Sequence, residues 1–248
     1  LLILVSNDDG VHAAGLQALA AALDSLGRVV VVAPDRERSA VGHALTLHRP
    51  LRISALGPDR YSVDGTPTDC VHLAIHGVLR RKPDLLVAGI NHGGNLGDDL
   101  TYSGTVGVAL EGTLFGVPSL AVSLAAREDF HFDVAGRVAR VLAEAVAARG
   151  LPLGTLLNVN VPNVETWEEL RGIRMTRQGR RVFGSGVVEK VDPRGRTYYW
   201  VGAQELGYVD DDVGTDVEAV GHGCVSVTPV RTDLTDHAFL EDLRRWRL

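Results

Sequence analysis

Short, unbroken apolar runs alternate with helix-spaced leucines and alanines, and this alternation narrows the possible folds more than any other feature. Leu1 to Val5 is the first run and Val29 to Ala33 the second; between them Leu16, Leu19, Leu23 and Leu26 recur at helical spacing, closed by Gly27. Strand, helix and strand within so few residues predict a βαβ unit and a parallel sheet. Further runs at Asp84 to Ile90, Pro118 to Leu124 and Leu156 to Val161 continue the pattern. None alternates with polar residues, so each reads as a strand buried on both faces. Helices are expected from Pro67 to about Arg81, from Ser103 with Val106, Leu110 and Leu114 on the apolar side, and from Val134 to Ala148. The expectation is an α/β fold built on an open, mostly parallel sheet.

Beyond Pro162 the pattern changes. Val182 to Lys190 and Thr197 to Val201 flank Asp192-Pro193-Arg194-Gly195, the signature of a hairpin over about residues 181–203. Cys224 to Pro229 reads as a strand and Asp236 to Arg247 as a last helix. The expected division is therefore a core of residues 1–162 and an extension of 163–248. Within the core, Leu45 to Leu56 and Tyr61 to Val63 read as short antiparallel strands.

The 248 residues carry a net charge of −6, which gives no attraction to nucleic acid or an anionic membrane. No apolar run is long enough to span a bilayer. Two cysteines, Cys70 and Cys224, suggest no disulfide framework and fit a reducing, cytoplasmic setting. The GxGxxG fingerprint and the Walker lysine loop are absent after the first strand, which argues against ordinary dinucleotide binding and P-loop chemistry.

Ligands collect at the carboxyl ends of strands in open α/β sheets. The first strand runs into Ser6-Asn7-Asp8-Asp9-Gly10 there. Two carboxylates about 4 Å apart repel by roughly 4 kcal/mol at an effective dielectric near 20. Either one takes a proton or a cation lies between them; the alternative is a polar turn with one aspartate capping a helix. The loop Asp35 to Gly42 should open on the same edge, offering Ser39 as an oxygen donor and Arg36 and Arg38 to a phosphate or to solvent. The strand ending at Ile90 leads into Asn91-His92-Gly93-Gly94-Asn95, and then Ser103, Gly104 and Thr105 open a helix. A capped, glycine-bearing helix start is an anion site, though plain caps are common. Asp8, Asp9, Ser39 and Asn91 are all hard oxygen donors, which suit magnesium, manganese or calcium. His72 and His76 have a spacing that can hold zinc, but no third ligand accompanies them. Asp210, Asp211 and Asp212 resemble either a cation site or a solvated loop, and Tyr198, Tyr199 and Trp200 either a partner surface or core.

Taken together, SNDDG (6–10), PDRERS (34–39), GTPTDCV (65–71) and GINHGGNLGDDLTYSGTV (89–106) closely resemble the SurE family, the survival-protein nucleotidases. The likeness returns at VSVTPVRTDLTDH (225–237), while residues 127–222 are less diagnostic, and Ala14 stands where the family usually shows proline. The resemblance implies a Rossmann-like core with helices on both faces of the sheet. It also implies a divalent-metal phosphatase acting on nucleoside 5′- and 3′-monophosphates, and on short polyphosphate in some members. It implies one ion per subunit, manganese or magnesium, held by Asp8, Asp9, Ser39 and Asn91. Asn95, Ser103, Gly104 and Thr105 match the phosphate contacts; Asp8 and Asp9 match the catalytic pair. A homodimer or homotetramer is implied, with the hairpin and the terminal segment exchanged between subunits and fastened by Asp233 and His237. The expected mechanism is attack by an activated water with Asp8 taking its proton; a rival is attack by Asp8 itself. A binding protein without turnover and an oligomerisation module are the readings from other classes.

Overall fold

The computed structural model describes residues 1–182, 186–201, 207–209 and 213–246. In chain order the core elements are β1 (Leu2–Ser6), α1 (Ala14–Leu23), β2 (Arg28–Pro34), β3 (Ile53–Gly57), β4 (Arg60–Val63), α2 (Pro67–Leu73), β5 (Leu85–His92), α3 (Gly104–Leu114), β6 (Ser119–Ala125), α4 (Phe132–Arg149) and β7 (Thr155–Pro162). The extension adds β8 (Ile173–Met175), β9 (Val187–Val191), β10 (Thr197–Val201), α5 (Asp216–Gly221), β11 (Val225–Arg231) and α6 (His237–Leu243).

Nine strands form one sheet in the order β3-β4-β2-β1-β5-β6-β7-β11-β8. Strands β4, β2, β1, β5, β6 and β7 run parallel, while β3 and β11 pair antiparallel at either side. The period-two alternation of strand side chains sorts the core into two layers. Ile3, Val5, Val87 and Val122 pack with Leu16, Leu19, Val138 and Ala143 of α1 and α4. Leu2, Leu4, Val30 and Ala88 pack with Val71, Val106 and Ala109 of α2 and α3 on the other face. A sheet covered on both faces explains the unbroken apolar runs. Among the described residues no helix is long and apolar enough to cross a membrane.

Successive connections travel outward from β1 through β2 in one direction and from β5 through β6 and β7 in the other. The order reverses between β1 and β5, and a crevice must open there at the carboxyl edge.

Several local expectations are corrected. Residues 45–52 form no strand; β3 begins at Ile53. The helix from Pro67 closes in a wide turn over Ala74–Val78, short of Arg81, so Arg81 lies beyond it and pairs with Asp84 at 2.9 Å. Leu114 is 60% exposed, and α3 instead buries Val106, Val108, Ala109 and Gly112. Among the described residues the hairpin pairs β9 with β10 from Val187 opposite Val201 to Val191 opposite Thr197; residues 183–185 and 202–203 of the expected span lie outside the described residues. Tyr198, Tyr199 and Trp200 are exposed, as the partner-surface reading of them requires. The Asp210–Asp212 run lies outside the described residues.

Candidate active site

At the end of β1 the Asn7 side chain closes the turn on itself: its amide donates to the Gly10 carbonyl at 3.1 Å and its oxygen accepts from the Gly10 amide at 3.2 Å. That turn delivers Asp8 inward, where it is only 4% exposed. The Thr105 hydroxyl donates to Asp8 Oδ1 at 2.5 Å and lies 3.5 Å from Asn91 Oδ1. One hydroxyl from the first turn of α3 thus touches residues from β1 and β5. Gly104 is what permits this approach, because a Cβ there would lie 2.7 Å from the Asp8 Cβ. The Arg38 amide donates to the Asp8 carbonyl at 2.7 Å and draws the loop after β2 to the same edge.

Asn91 sits where the β5–β6 register shifts between Gly89 and Asn91, a bulge that re-aims side chains at a strand end. Its amide donates to the Gly93 carbonyl at 2.8 Å, which leaves its oxygen on the Thr105 side. Asp9 accepts from the His92 amide at 3.3 Å, and His92 Nδ1 lies 3.3 Å from its other oxygen. The imidazole is itself flanked by Phe130 and Phe132, at ring-centre distances of 4.9 and 5.1 Å. Ser103 caps α3, its hydroxyl accepting from the Val106 amide at 3.0 Å. The N–H groups of a helix's first turn have no partners within the helix, so this end offers donors and a positive dipole.

A cavity of about 660 Å³ lies over these groups, with Asp8, Asp9, Ser39, Asn91, Asn95 and Ser103 among its walls. Gly104 and Thr105 stand behind Asp8 rather than in the wall. Ser39 is exposed at the rim, and its hydroxyl donates to Glu37 Oε1 at 2.8 Å. Arg36 and Arg38 turn away, toward Asp35 at 3.9 and 3.7 Å, and do not meet the cavity.

Burial pushes the Asp8 carboxyl up to about 6, helped by the neighbouring Asp9 and opposed by the Thr105 hydrogen bond. Burial also raises Asp9, against the pull of His92. Ionised carboxylates in such a place call for a bound cation. Among the described residues no three histidine, cysteine or carboxylate side chains converge as a metal cluster. The donors on offer are two carboxylates with neutral amide and hydroxyl oxygens, a set that fits an oxygen-seeking divalent ion and not zinc. His72 and His76 form no zinc pair: His72 turns to Glu111, and both rings lie edge-on to Phe115. His43 reaches the same Glu111 at 2.6 Å.

The residues beneath Asn95 were not anticipated from the sequence. Its amide donates to Ser123 Oγ at 2.7 Å and its backbone N–H to Asn160 Oδ1 at 2.7 Å. Asn158 and Asn160 in turn donate to its carbonyl, at 2.9 and 3.2 Å. The signal was present, since two asparagines at alternate positions of an otherwise apolar strand need buried partners. Asp233 and His237 meet at 2.7 Å within the same exposed segment, and Asp236 caps α6 by accepting from the Phe239 amide at 2.9 Å.

Comparison with known proteins identifies the family. A family model described as survival protein SurE matches residues 3–185. A protein of Syntrophotalea carbinolica named 5′-nucleotidase SurE is 58% identical, the match covering 100% of this chain and 98% of that one. A Geobacter sulfurreducens protein of the same name is 56% identical over 99% of this chain and 94% of its own. Among solved structures, the crystal structure of the SurE protein from Aquifex aeolicus matches with a TM-score of 0.88 and 47% identity, covering 98% of each chain. A sheet that reverses at β1 and β5, a carboxylate pair at the reversal and full-length identity of this order make the chain a member of the SurE family.

Proposed function

We propose that this protein is a nucleotidase that hydrolyses nucleoside 5′-monophosphates, and 3′-monophosphates beside them, to nucleoside and phosphate. The observation that carries the reading is the Thr105–Asp8 hydrogen bond, which joins the open end of α3 to the carboxylate pair in one cavity. Relatives at 58 and 56% identity bear the name 5′-nucleotidase, which supports the substrate class.

Asp8, Asp9, Ser39 and Asn91 are the residues that would hold a divalent ion, manganese or magnesium. Such an ion supplies charge neutralisation at the phosphate and makes water a better nucleophile at neutral pH. The α3 start, with Ser103, Gly104 and Thr105, and the buried Asn95 orient the phosphate oxygens. Asp8 accepts the proton of the attacking water, and its Thr105 hydrogen bond fixes which oxygen faces the substrate. Asp9 serves mainly as a ligand, with His92 setting its orientation. Water attacks phosphorus opposite the ester oxygen, the P–O bond to the nucleoside breaks, and the leaving alkoxide takes the proton that Asp8 accepted from the water.

The same reading keeps residues 1–162 as the catalytic core. Residues 163–248 form an extension exchanged between subunits of a dimer or tetramer. Support comes from exposed apolar residues on the hairpin, Trp200 at 59% and Val201 at 83% among them. Cytoplasmic residence fits two cysteines that are both unpaired.

A monophosphate panel assayed for phosphate release with manganese and magnesium tests the activity. Asp9→Asn should lower kcat by roughly 10²- to 10⁴-fold, the usual range for losing a positioned carboxylate. Release by the wild type no greater than by Asp9→Asn would leave a binding protein in place of an enzyme. Oxygen-18 solvent under single turnover should label phosphate; label in the Asp8 carboxylate would mean attack by Asp8 itself.

A further inference from the structure

Gly93 to Leu96 belong to no helix or strand, yet Asn95 among them is buried. A buried backbone without a regular partner must have its polar groups satisfied some other way. At residue 95 side chains do this. The N–H donates to Asn160 Oδ1 at 2.7 Å, and the carbonyl accepts from the amides of Asn158 and Asn160 at 2.9 and 3.2 Å. The Asn160 amide thus pairs with residue 95 as the peptide group of a neighbouring strand would, through one acceptor and one donor.

The Asn95 side chain is held as well. Its amide donates to Ser123 Oγ at 2.7 Å. An amide nitrogen carries two hydrogens, so this bond fixes the plane of the amide and leaves the second hydrogen for a phosphate oxygen. Ser123 on β6 and Asn160 on β7 stand opposite each other in the sheet, and Asn158 shares the face of Asn160. Ser123, Asn158 and Asn160 are fully buried and lie outside the wall of the cavity, whereas Asn95 lines it. Asn91 is held separately, by Gly93 and Thr105.

Burying an amide or a hydroxyl costs stability unless it is hydrogen-bonded, a cost that an apolar side chain at the same place would not carry. Three such groups from two adjacent strands converge on one loop residue. We infer that Ser123, Asn158 and Asn160 are positioning residues for the phosphate end of the site, acting through Asn95 and touching no substrate themselves. The inference rests on the nucleotidase reading above, in which Asn95 meets the phosphate.

Calorimetry with inorganic phosphate on the full-length, manganese-loaded protein tests it without turnover. Ser123→Ala removes a single oxygen and should raise the phosphate Kd by about three- to tenfold, as loss of one hydrogen bond does. Asn160→Ala frees both backbone groups of residue 95 and should raise it by about tenfold or more. Ser119 is the matched control, equally buried on the same strand but donating to the Val117 carbonyl at 2.8 Å. Ser119→Ala should leave the phosphate Kd within about twofold, and manganese affinity should stay within about twofold in Ser123→Ala. Asn95→Ala separates positioning from support of the fold. Because Ser123 acts through Asn95, adding Ser123→Ala to Asn95→Ala should change the phosphate Kd no further; independent effects would multiply. Multiplying losses, an unchanged Kd in Ser123→Ala, an equal loss in Ser119→Ala or a parallel loss of manganese affinity each overturns the inference. A wild type that binds no phosphate does so too. Should Asn160→Ala fail to fold, Ser123→Ala decides alone. The expected pattern of phosphate binding in a protein that releases no phosphate from nucleotides would sink the nucleotidase reading and leave the positioning role standing.

Discussion

Asp8 concentrates the chemistry into one side chain. Its carboxyl titrates near 6 in the folded, ion-free protein against an ordinary 3.8. Between those values the native state holds the extra proton, so stability of the ion-free protein falls as pH rises through that window and stays reduced above it. At pH 8 that burial costs about 3 kcal/mol at most. Asp8→Asn should therefore raise the Tm of the ion-free protein at pH 8, by on the order of 5 °C for a chain of this size, and do so less at pH 4. Manganese should raise the Tm of the wild type but not of this variant. A ligand must shed its proton to bind an ion, so manganese affinity should weaken steadily as pH falls below about 6; calorimetry at pH 5.5 and 7.5 checks it. That the Asp8-Asp9 step would sit at a strand end was legible in the sequence, because a buried strand followed by a polar turn allows little else. That the Thr105 hydroxyl would donate to Asp8 itself was not legible there; no spacing rule connects positions 8 and 105.

At the scale of elements, the approach of α3 to the β1 turn is the contact on which the site depends. Gly104→Ala places a methyl where a Cβ would stand 2.7 Å from Asp8. It should weaken manganese binding and lower kcat by about tenfold or more while far-UV circular dichroism is unchanged, since crowding of this kind shifts neighbours without unfolding a helix. Helix α2 gives a control remote from chemistry. Thr66 accepts from the Asp69 amide at 3.1 Å and Asp69 accepts from the Thr66 amide at 2.8 Å, a reciprocal cap with Pro67 at the first helical position. Thr66→Ala should cost about 1 kcal/mol and lower Tm by a few degrees with kcat unchanged. The start of α2 was plain in the sequence because caps are local chemistry. Its end was not. Arg80, Arg81 and Lys82 look like residues that answer a helix dipole, yet Arg81 engages Asp84, whose carboxylate also accepts from the Leu2 amide at 2.7 Å. Residues 45–52 misled because apolar spacing suggests a half-buried strand, whereas Leu45 and Leu47 are exposed and these residues belong to no strand.

At the scale of the whole molecule, the extension is tied to the loop that carries the site. Asp216, buried in α5, accepts from the Gly97 amide at 2.9 Å and from the Gly179 amide at 2.8 Å. A single carboxylate thus bridges the glycine loop after β5 to the segment that follows β8. Asp216→Ala would leave two buried N–H groups without acceptors, at about 1–3 kcal/mol each. It should lower Tm clearly and raise KM for nucleotides, and a variant with normal KM and lowered Tm would show that the bridge serves stability alone. Strands β11 and β8 join the same sheet as the core, so the change of pattern after Pro162 does not mark the edge of the sheet.

By itself the sequence determined the class of fold, the positions of five parallel strands to within a residue or two, and the oxygen-donor character of the site. These follow from periodicity, caps and residue chemistry, all of which act over a few neighbouring residues. The tertiary structure decided which strand lies beside which, and so placed the reversal of order between β1 and β5 under Asp8 and Asn91. It also decided that Asn158, Asn160 and Ser123 hold Asn95 from below, and that Arg181 pairs with Asp99. Contacts between residues 28 to 97 positions apart depend on how the whole sheet is wound, and no local pattern in the chain records that winding.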